Sequence, residues 1–175
     1  GMLVLDGGAE TTRGVIGTTV IDLIEHPEQR EQLIQDPSPE KMKVAVEEFI
    51  RWVTPILNMR RTATRTHTLH GHNIQEGDEF LLMYASANRD PEQFDDPDRY
   101  DVARAKNQHL AFGWGTHFCL GASVARLELR IMFEELIRRI PDMQMAPGFT
   151  PKMVPSSFTR GPEAVEVQFA PSKAG

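Results

Sequence analysis

Apolar positions recur at helical spacing toward both ends of the chain and lose that spacing in the middle. At the start, Leu3, Val4, Leu5, Val15, Ile16, Val20, Ile21 and Ile24 predict a helix over residues 3–24. Gly7-Gly8 should interrupt it near its start, at about 1 kcal/mol per glycine relative to alanine. Pro27 to Gln35 reads as a short second helix with proline in its first turn. Asp36-Pro37-Ser38-Pro39 breaks the pattern, and either Ser38 or Asp36 can cap the next helix. Within residues 38–53, Glu40 to Val53 predicts a strongly amphipathic helix. Thr54-Pro55 stops it, because a residue before proline avoids the helical region.

From Asn58 to Tyr84 the period shortens. Turn signals at His70-Gly71-His72-Asn73 and Glu76-Gly77-Asp78 separate short Thr, Ile, Phe and Leu runs, which predict a small antiparallel sheet. Residues 88–118 are rich in Asp, Pro, Asn and Gly and read as a long loop, and a structureless stretch of that length is usually functional. A long helix is expected over residues 120–140. Met143 to Ala170 alternates weakly between Pro147, Pro151, Pro155 and Pro162, and predicts short strands. The fold class is mixed, mainly α with a small β region, in one domain-sized unit spanning residues 1–175.

Composition narrows the functional classes. At 175 residues, with 40% hydrophobic and 25% charged residues, the chain can bury a core as an ordinary globular protein does. A formal net charge of −6 argues against a nucleic-acid partner, which calls for clustered excess basic residues. The one cysteine excludes an internal disulfide and fits a reducing cytoplasm. The apolar run Phe80 to Ala85 is too short to cross a bilayer, so no membrane partner is expected. Gly1-Met2 reads as a cleavage scar before a native methionine.

The segment with the most chemistry is Phe112-Gly113-Trp114-Gly115-Thr116-His117-Phe118-Cys119-Leu120-Gly121. It puts a cysteine at the mouth of a helix, in a loop whose glycines let the backbone approach something closely. A thiolate there gains from the positive end of the helix and from nearby N–H groups. On local grounds it is a nucleophile, a metal ligand or a buried structural cysteine. Glu48-Phe49-Ile50-Arg51 places opposite charges three apart on one helical face, which alone is an ordinary solvated pair. Gly7-Gly8-Ala9-Glu10-Thr11-Thr12 lacks the spacing of a phosphate cradle and otherwise reads as a frayed helix start. Arg60-Arg61 opens the β region, either as two edge-strand arginines in water or as a fork for a carboxylate. His67, His70 and His72 surround a turn without a soft ligand, as surface histidines do.

Phe-Gly-x-Gly-x-His-x-Cys-x-Gly resembles the haem-binding loop of the cytochrome P-450 family, of the bacterial soluble type, with every key position filled. The resemblance implies that Cys119 is the proximal thiolate ligand of a haem b iron and that His117 hydrogen-bonds a haem propionate. Phe112 would pack beside the sulfur, and Gly113, Gly115 and Gly121 would shape the loop. Glu48 and Arg51 match the family's structural Glu-x-x-Arg pair, joined from the long loop by Arg99 or Arg104. Residues 88–121 are similar to the family's meander and cysteine loop, beginning Asn88-Arg89-Asp90-Pro91. Glu10 and Thr11 resemble the acid–alcohol pair that relays protons on the distal helix, and Arg61 suits a propionate better than Arg60. Pro55 to Leu57 and Ser156 to Phe158 would face a hydrophobic small-molecule substrate. Electrons would come from a ferredoxin or flavoprotein partner.

The family's chains are more than twice this long, so the sequence corresponds to the carboxy-terminal half of that fold. Without an upstream half, broadly apolar helices would face water, which implies a homodimer or pairing with a separate amino-terminal half. Two other classes are compatible with the same residues. A haem-free, non-catalytic remnant or oligomerising module would be colourless. A cysteine-nucleophile enzyme using Cys119 with His117 would react with thiol reagents and turn over without iron.

Overall fold

The computed structural model describes residues 2–170, with side chains from residue 7 onward. Gly1 lies outside the described residues, and so do the side chains of Leu3, Val4 and Leu5. Over the described residues the chain is mixed helical with three small two-stranded sheets. Helix α1 (Met2–Glu25) runs unbroken through Gly7 and Gly8, so those glycines do not interrupt it. The Thr11 hydroxyl donates back to the Gly7 carbonyl one turn earlier, at 2.7 Å, the usual way a threonine inside a helix satisfies its hydroxyl.

Helix α2 (Pro27–Gln35) comes next with proline in its first turn, and α3 (Pro39–Val53) begins after two local caps. Ser38 Oγ accepts from the Lys41 N–H at 3.3 Å, and Asp36 Oδ1 accepts from the Ser38 N–H at 3.2 Å. At the other end Thr54 leaves the helix in the left-handed region, at φ 45°, because Pro55 bars it from continuing. That costly conformation is anchored: the Thr54 hydroxyl donates to Arg51 O at 2.7 Å and accepts from Asn88 Nδ2 at 2.8 Å.

The β region is two nested ribbons where one sheet was expected. Strand β1 (Met59–Thr62) pairs antiparallel with β4 (Glu79–Leu82), with Arg61 opposite Phe80. Between them in sequence, β2 (His67–Leu69) pairs with β3 (His72–Ile74) across a tight turn. Its two central residues, His70 and Gly71, have φ of 48° and 80°, the left-handed pair that matches strand twist. After a single turn of helix, α4 (Tyr84–Ala87), the chain runs through turns to a 3₁₀ turn at Gly115–His117. Helix α5 (Ala122–Arg139) and the short pair β5 (Gln144–Met145) and β6 (Val167–Gln168) complete the described residues.

The core forms where α3 and α5 cross, with α1 packed beside them. Met42, Val46, Phe49, Ile50 and Val53 of α3 meet Leu129, Phe133 and Ile137 of α5, and the Phe49 and Phe133 rings lie 4.8 Å apart. Tyr100 and Val102 enter this core from the loop before the cysteine. Burial of such side chains stabilises by about 1.5–3 kcal/mol each, so the loop is part of the folded body. Among the described residues no helix is long and apolar enough to cross a membrane.

Candidate active site

The cysteine loop stands on a buried polar post. Glu48 and Arg51 of α3 are 0% exposed, so the pair that could have been a solvated surface bridge is fully internal. Arg51 uses all five of its N–H donors. Two go to the Glu48 carboxylate, at 2.7 and 2.8 Å. The other three go to the carbonyls of Asn88, Pro97 and Arg99, at 2.7, 2.9 and 3.3 Å. Glu48 accepts three further donors: the Asp101 N–H at 2.9 Å, Arg104 Nε at 3.2 Å and Asn107 Nδ2 at 3.0 Å. Of the two arginines anticipated here, Arg104 therefore joins by its side chain and Arg99 only by its carbonyl. Ions buried this way are tolerable only when each lone pair and proton is met, and here they are.

Two asparagines carry the restraint onward; Asn88 opens the stretch already singled out in the sequence, whereas nothing there marked Asn107. Asn88 is buried, and its Oδ1 accepts from the Leu110 N–H at 2.7 Å while its Nδ2 reaches Thr54. Asn107 ties the same stretch to Glu48. A second cluster sits one residue back on α3. Glu47 accepts from Arg126 Nε and Nη2 at 2.6 and 2.9 Å, and lies 3.2 Å from His109 Nε2. Burial alone would push the Glu47 carboxyl up. Hydrogen bonds from His109 and Arg126, with the Arg126 charge, outweigh it and hold the group at about 2. Nothing in the sequence flagged this cluster, because Arg126 lies in α5 and Glu47 in α3, and only folding brings them together.

The loop itself is shaped by two left-handed glycines, Gly113 at φ 71° and Gly115 at φ 70°. A Cβ on Gly113 would also come within 3.3 Å of the Tyr84 hydroxyl oxygen. The Cys119 N–H donates to Phe112 O at 2.9 Å, which brings Phe112 back beside the cysteine. The Phe112 ring lies 6.1 Å from Phe118 and 5.8 Å from His109, with the Arg126 guanidinium 4.6 Å from its centre. Gly121 caps α5, and a Cβ there would lie 4.0 Å from the Cys119 sulfur. Cys119 is exposed, next to Leu120 at 98% and Phe118 at 48% exposure.

The structure thus joins Phe112, Gly113, Gly115, Cys119 and Gly121 in one rigid loop. His117 ends the 3₁₀ turn in the same loop, exposed, and among the described residues no hydrogen bond links it to Cys119. Glu10, Thr11 and Arg61 stand apart, with no hydrogen bond or ion pair to the loop among the described residues. Glu10 is bound to Arg13, whose Nε donates at 3.2 Å, and that bond holds the carboxyl below its usual range. Arg13 also reaches Pro162 O at 3.2 Å. Arg60 pairs with Glu79, whereas Arg61 makes no ion pair among the described residues and donates only to Arg60 O, at 2.8 Å. The two stretches expected at the substrate do come together. Leu57 N–H donates to Phe158 O and Arg160 N–H to Pro55 O, both at 2.9 Å, and Asn58 Nδ2 donates to Ser157 O.

These residues fit haem. No cluster of His, Cys, Asp and Glu among the described residues could hold a bare metal ion, so Cys119 would be a single protein ligand. That suits a metal whose other positions are filled by a macrocycle. A Cβ at Gly115 would meet nothing, the sulfur is accessible, and its neighbours Phe118 and Leu120 offer the apolar surface such a ring needs.

Comparisons with known proteins point the same way. The family model for cytochrome P450 matches residues 40–169. A steroid C26-monooxygenase of Mycolicibacterium smegmatis is 42% identical over 171 residues, covering 98% of this chain and 42% of that protein. A methyl-branched lipid omega-hydroxylase of Mycobacterium bovis is 46% identical over 143 residues, covering 81% of this chain and 33% of its own length. Among solved structures, CYP109E1 from Bacillus megaterium in complex with corticosterone superposes with a TM-score of 0.91 at 36% identity, covering 95% of this chain and 45% of that one. The chain spans less than half the length of these relatives.

Proposed function

Because this chain belongs to the cytochrome P450 family, we propose that it is the thiolate-bearing part of a haem monooxygenase acting on a hydrophobic small molecule. The observation that carries this reading is the exposed Cys119 on a loop fixed from behind by the saturated Glu48–Arg51 post. Haem, when bound, supplies oxygen activation and insertion of one oxygen atom, and an anionic sulfur ligand favours O–O cleavage by donating electron density.

The chain's own residues take up the remaining roles. Cys119 would ligate the iron, held out on a loop that the left-handed turns at Gly113 and Gly115 shape. His117 and Arg61, both without a carboxylate partner among the described residues, anchor propionates. Thr11 holds a proton at its hydroxyl, and Glu10 exchanges protons once Arg13 releases it. Pro55 to Leu57 and Ser156 to Phe158, hydrogen-bonded to each other, form one wall for substrate. The relatives named for steroid and lipid oxidation support an apolar substrate. Electrons come from a ferredoxin or flavoprotein, in the cytoplasm.

The test is haem titration of the protein, reduction under carbon monoxide, and comparison with Cys119→Ala. A strongly red-shifted Soret band that the substitution abolishes is the expected result. No haem uptake, or the same spectrum from Cys119→Ala, refutes the reading.

A second reading has its own observation. Val124, Leu127 and Ile131 are exposed along one side of α5 beside Leu120, a stripe of the kind that packs against another helix. It favours pairing with an amino-terminal half or a second copy, and a haem-free scaffold would pair in the same way. A monomer mass by light scattering at micromolar concentration refutes self-association.

A further inference from the structure

Glu47 belongs to none of the roles above, yet from α3 its carboxylate binds both the stretch before the cysteine loop, through His109, and α5, through Arg126. We propose that Glu47 is a positioning residue for the Cys119 loop, acting through His109 and Arg126 on Phe112. The inference rests on the reading of Cys119 as haem ligand only for its consequence, since the restraint itself exists without haem.

The geometry assigns each partner a direction. The Ala111 N–H donates to His109 Nδ1 at 3.3 Å, so Nδ1 is the acceptor and the ring proton sits on Nε2, facing Glu47 at 3.2 Å. The His109 side chain is 2% exposed, so water does not compete for that bond. Arg126 meets the other side of the carboxylate with two parallel N–H groups, the arrangement that fixes a guanidinium in orientation as well as in place. Held there, its flat face covers the Phe112 ring at 4.6 Å, while His109 flanks the ring at 5.8 Å. Phe112 is therefore gripped by two side chains that one carboxylate orients. Its carbonyl in turn accepts the Cys119 N–H at 2.9 Å.

Glu48, the neighbouring residue, fixes the loop's approach through Arg51, Arg104 and Asn107. Glu47 fixes the last step, between Phe112 and the sulfur. An unpaired acidic residue at this point of α3 would serve no packing purpose, and the carboxylate is instead bound on both oxygens.

Hydrogen exchange resolved to segments 108–121, α3 and α5 tests the proposal on the haem-free chain, with Glu47→Gln and Arg126→Lys beside the parent. Glu47→Gln should speed exchange of the Cys119 amide about tenfold and leave the core amides of α3 and α5 within twofold. Arg126→Lys keeps the charge but not the paired grip or the flat face, and should fall between. Unchanged loop exchange overturns the proposal. Equal acceleration in the loop and both helices also overturns it, because it marks general loosening. With haem bound and reduced under carbon monoxide, Glu47→Gln should move part of the red-shifted band to the position given by Cys119→Ala. If the parent shows no red-shifted band, the haem reading fails while the exchange result still decides the role of Glu47.

Discussion

Replacing Glu48 by glutamine removes one charge and changes nothing in side-chain length, so it isolates what the buried post contributes. The carboxylate accepts five donors, two on Oε1 and three on Oε2. A glutamine can present its oxygen to only one of those sets. If it keeps the three, its NH₂ faces the Arg51 Nη2 and Asp101 N–H donors; the other orientation sets three donors against it. Arg51 would then be a fully buried cation, and Arg104 a nearly buried one, without a counter-charge. Breaking a buried pair on one side costs about 3–5 kcal/mol. That is a large share of the roughly 5–15 kcal/mol by which a domain is stable. At a urea slope of about 2 kcal/mol per molar, the unfolding midpoint should fall by about 2 M. Glu135→Gln, which removes an exposed carboxylate paired with Arg138 and Arg139, should leave the midpoint in place. A Glu48→Gln midpoint within about 0.5 M of the parent would refute the view that this post holds the loop.

Three other predictions rest on separate features. Asp22 of α1 is 8% exposed with one oxygen unpartnered, and burial, opposed by the Trp52 indole, His26 and Arg160, pushes it from 3.8 up to about 6. A raised folded value means its contribution is complete below pH 3.8 and lost as pH rises through 6, a change of about 3 kcal/mol. Denaturant midpoints measured across that range should drop for the parent and stay level for Asp22→Asn. Glu47 has the opposite sign: held at about 2 against 4.5 unfolded, it stabilises above pH 4.5 and loses that contribution as pH falls toward 2. The acid limb of the same curve should flatten in Glu47→Gln. Gly14→Ala would put a Cβ 2.7 Å from the Arg160 carbonyl, so α1 must move from the 160–162 segment at about 1–3 kcal/mol, read as a lower thermal midpoint.

Local signals in the sequence located the helices well and the close contacts poorly. Helix α2 begins at Pro27 and ends before Asp36, and α3 ends where Thr54 meets proline, because those breakers act within a residue or two of themselves. Helix α5 starts two residues later than expected, since Gly121 still belongs to the cap. The β region was legible as strands, but the division into two ribbons depends on which strand pairs with which. Ala63 N–H donates to Asp78 O and Gly77 N–H to Ala63 O, which turn the inner ribbon away from the outer one, and no spacing rule reports that. Glycines show the contrast most clearly. Gly7 and Gly8 draw the eye in sequence, yet a Cβ at either would meet nothing. Gly14 and Gly17 pass unnoticed, and there a Cβ would meet Arg160 O and the Pro162 ring, both at 2.7 Å. Their partners lie at the far end of the chain, where only folding brings them.

The cysteine motif was legible because its chemistry is local, and the groups that make it usable were not, because they are distant. A ligand must be accessible on one side and immobile on the other. Exposure of Cys119 meets the first need, and nothing in its own loop meets the second: the loop's internal bonds are Phe118 N–H to Gly115 O and Cys119 N–H to Phe112 O. Rigidity is imported from α3, where consecutive glutamates lie about 100° apart around the helix and so reach different neighbours. Glu48 turns to the loop that leads in, and Glu47 to His109 and to α5, the helix that leads out. Since α3 is itself locked into α5 through Phe49 and Phe133, a side chain on either glutamate moves only if the core does. The apolar side chains that the loop leaves facing outward, Trp114, Phe118 and Leu120, can then stay exposed, because the loop does not depend on burying them to hold its shape.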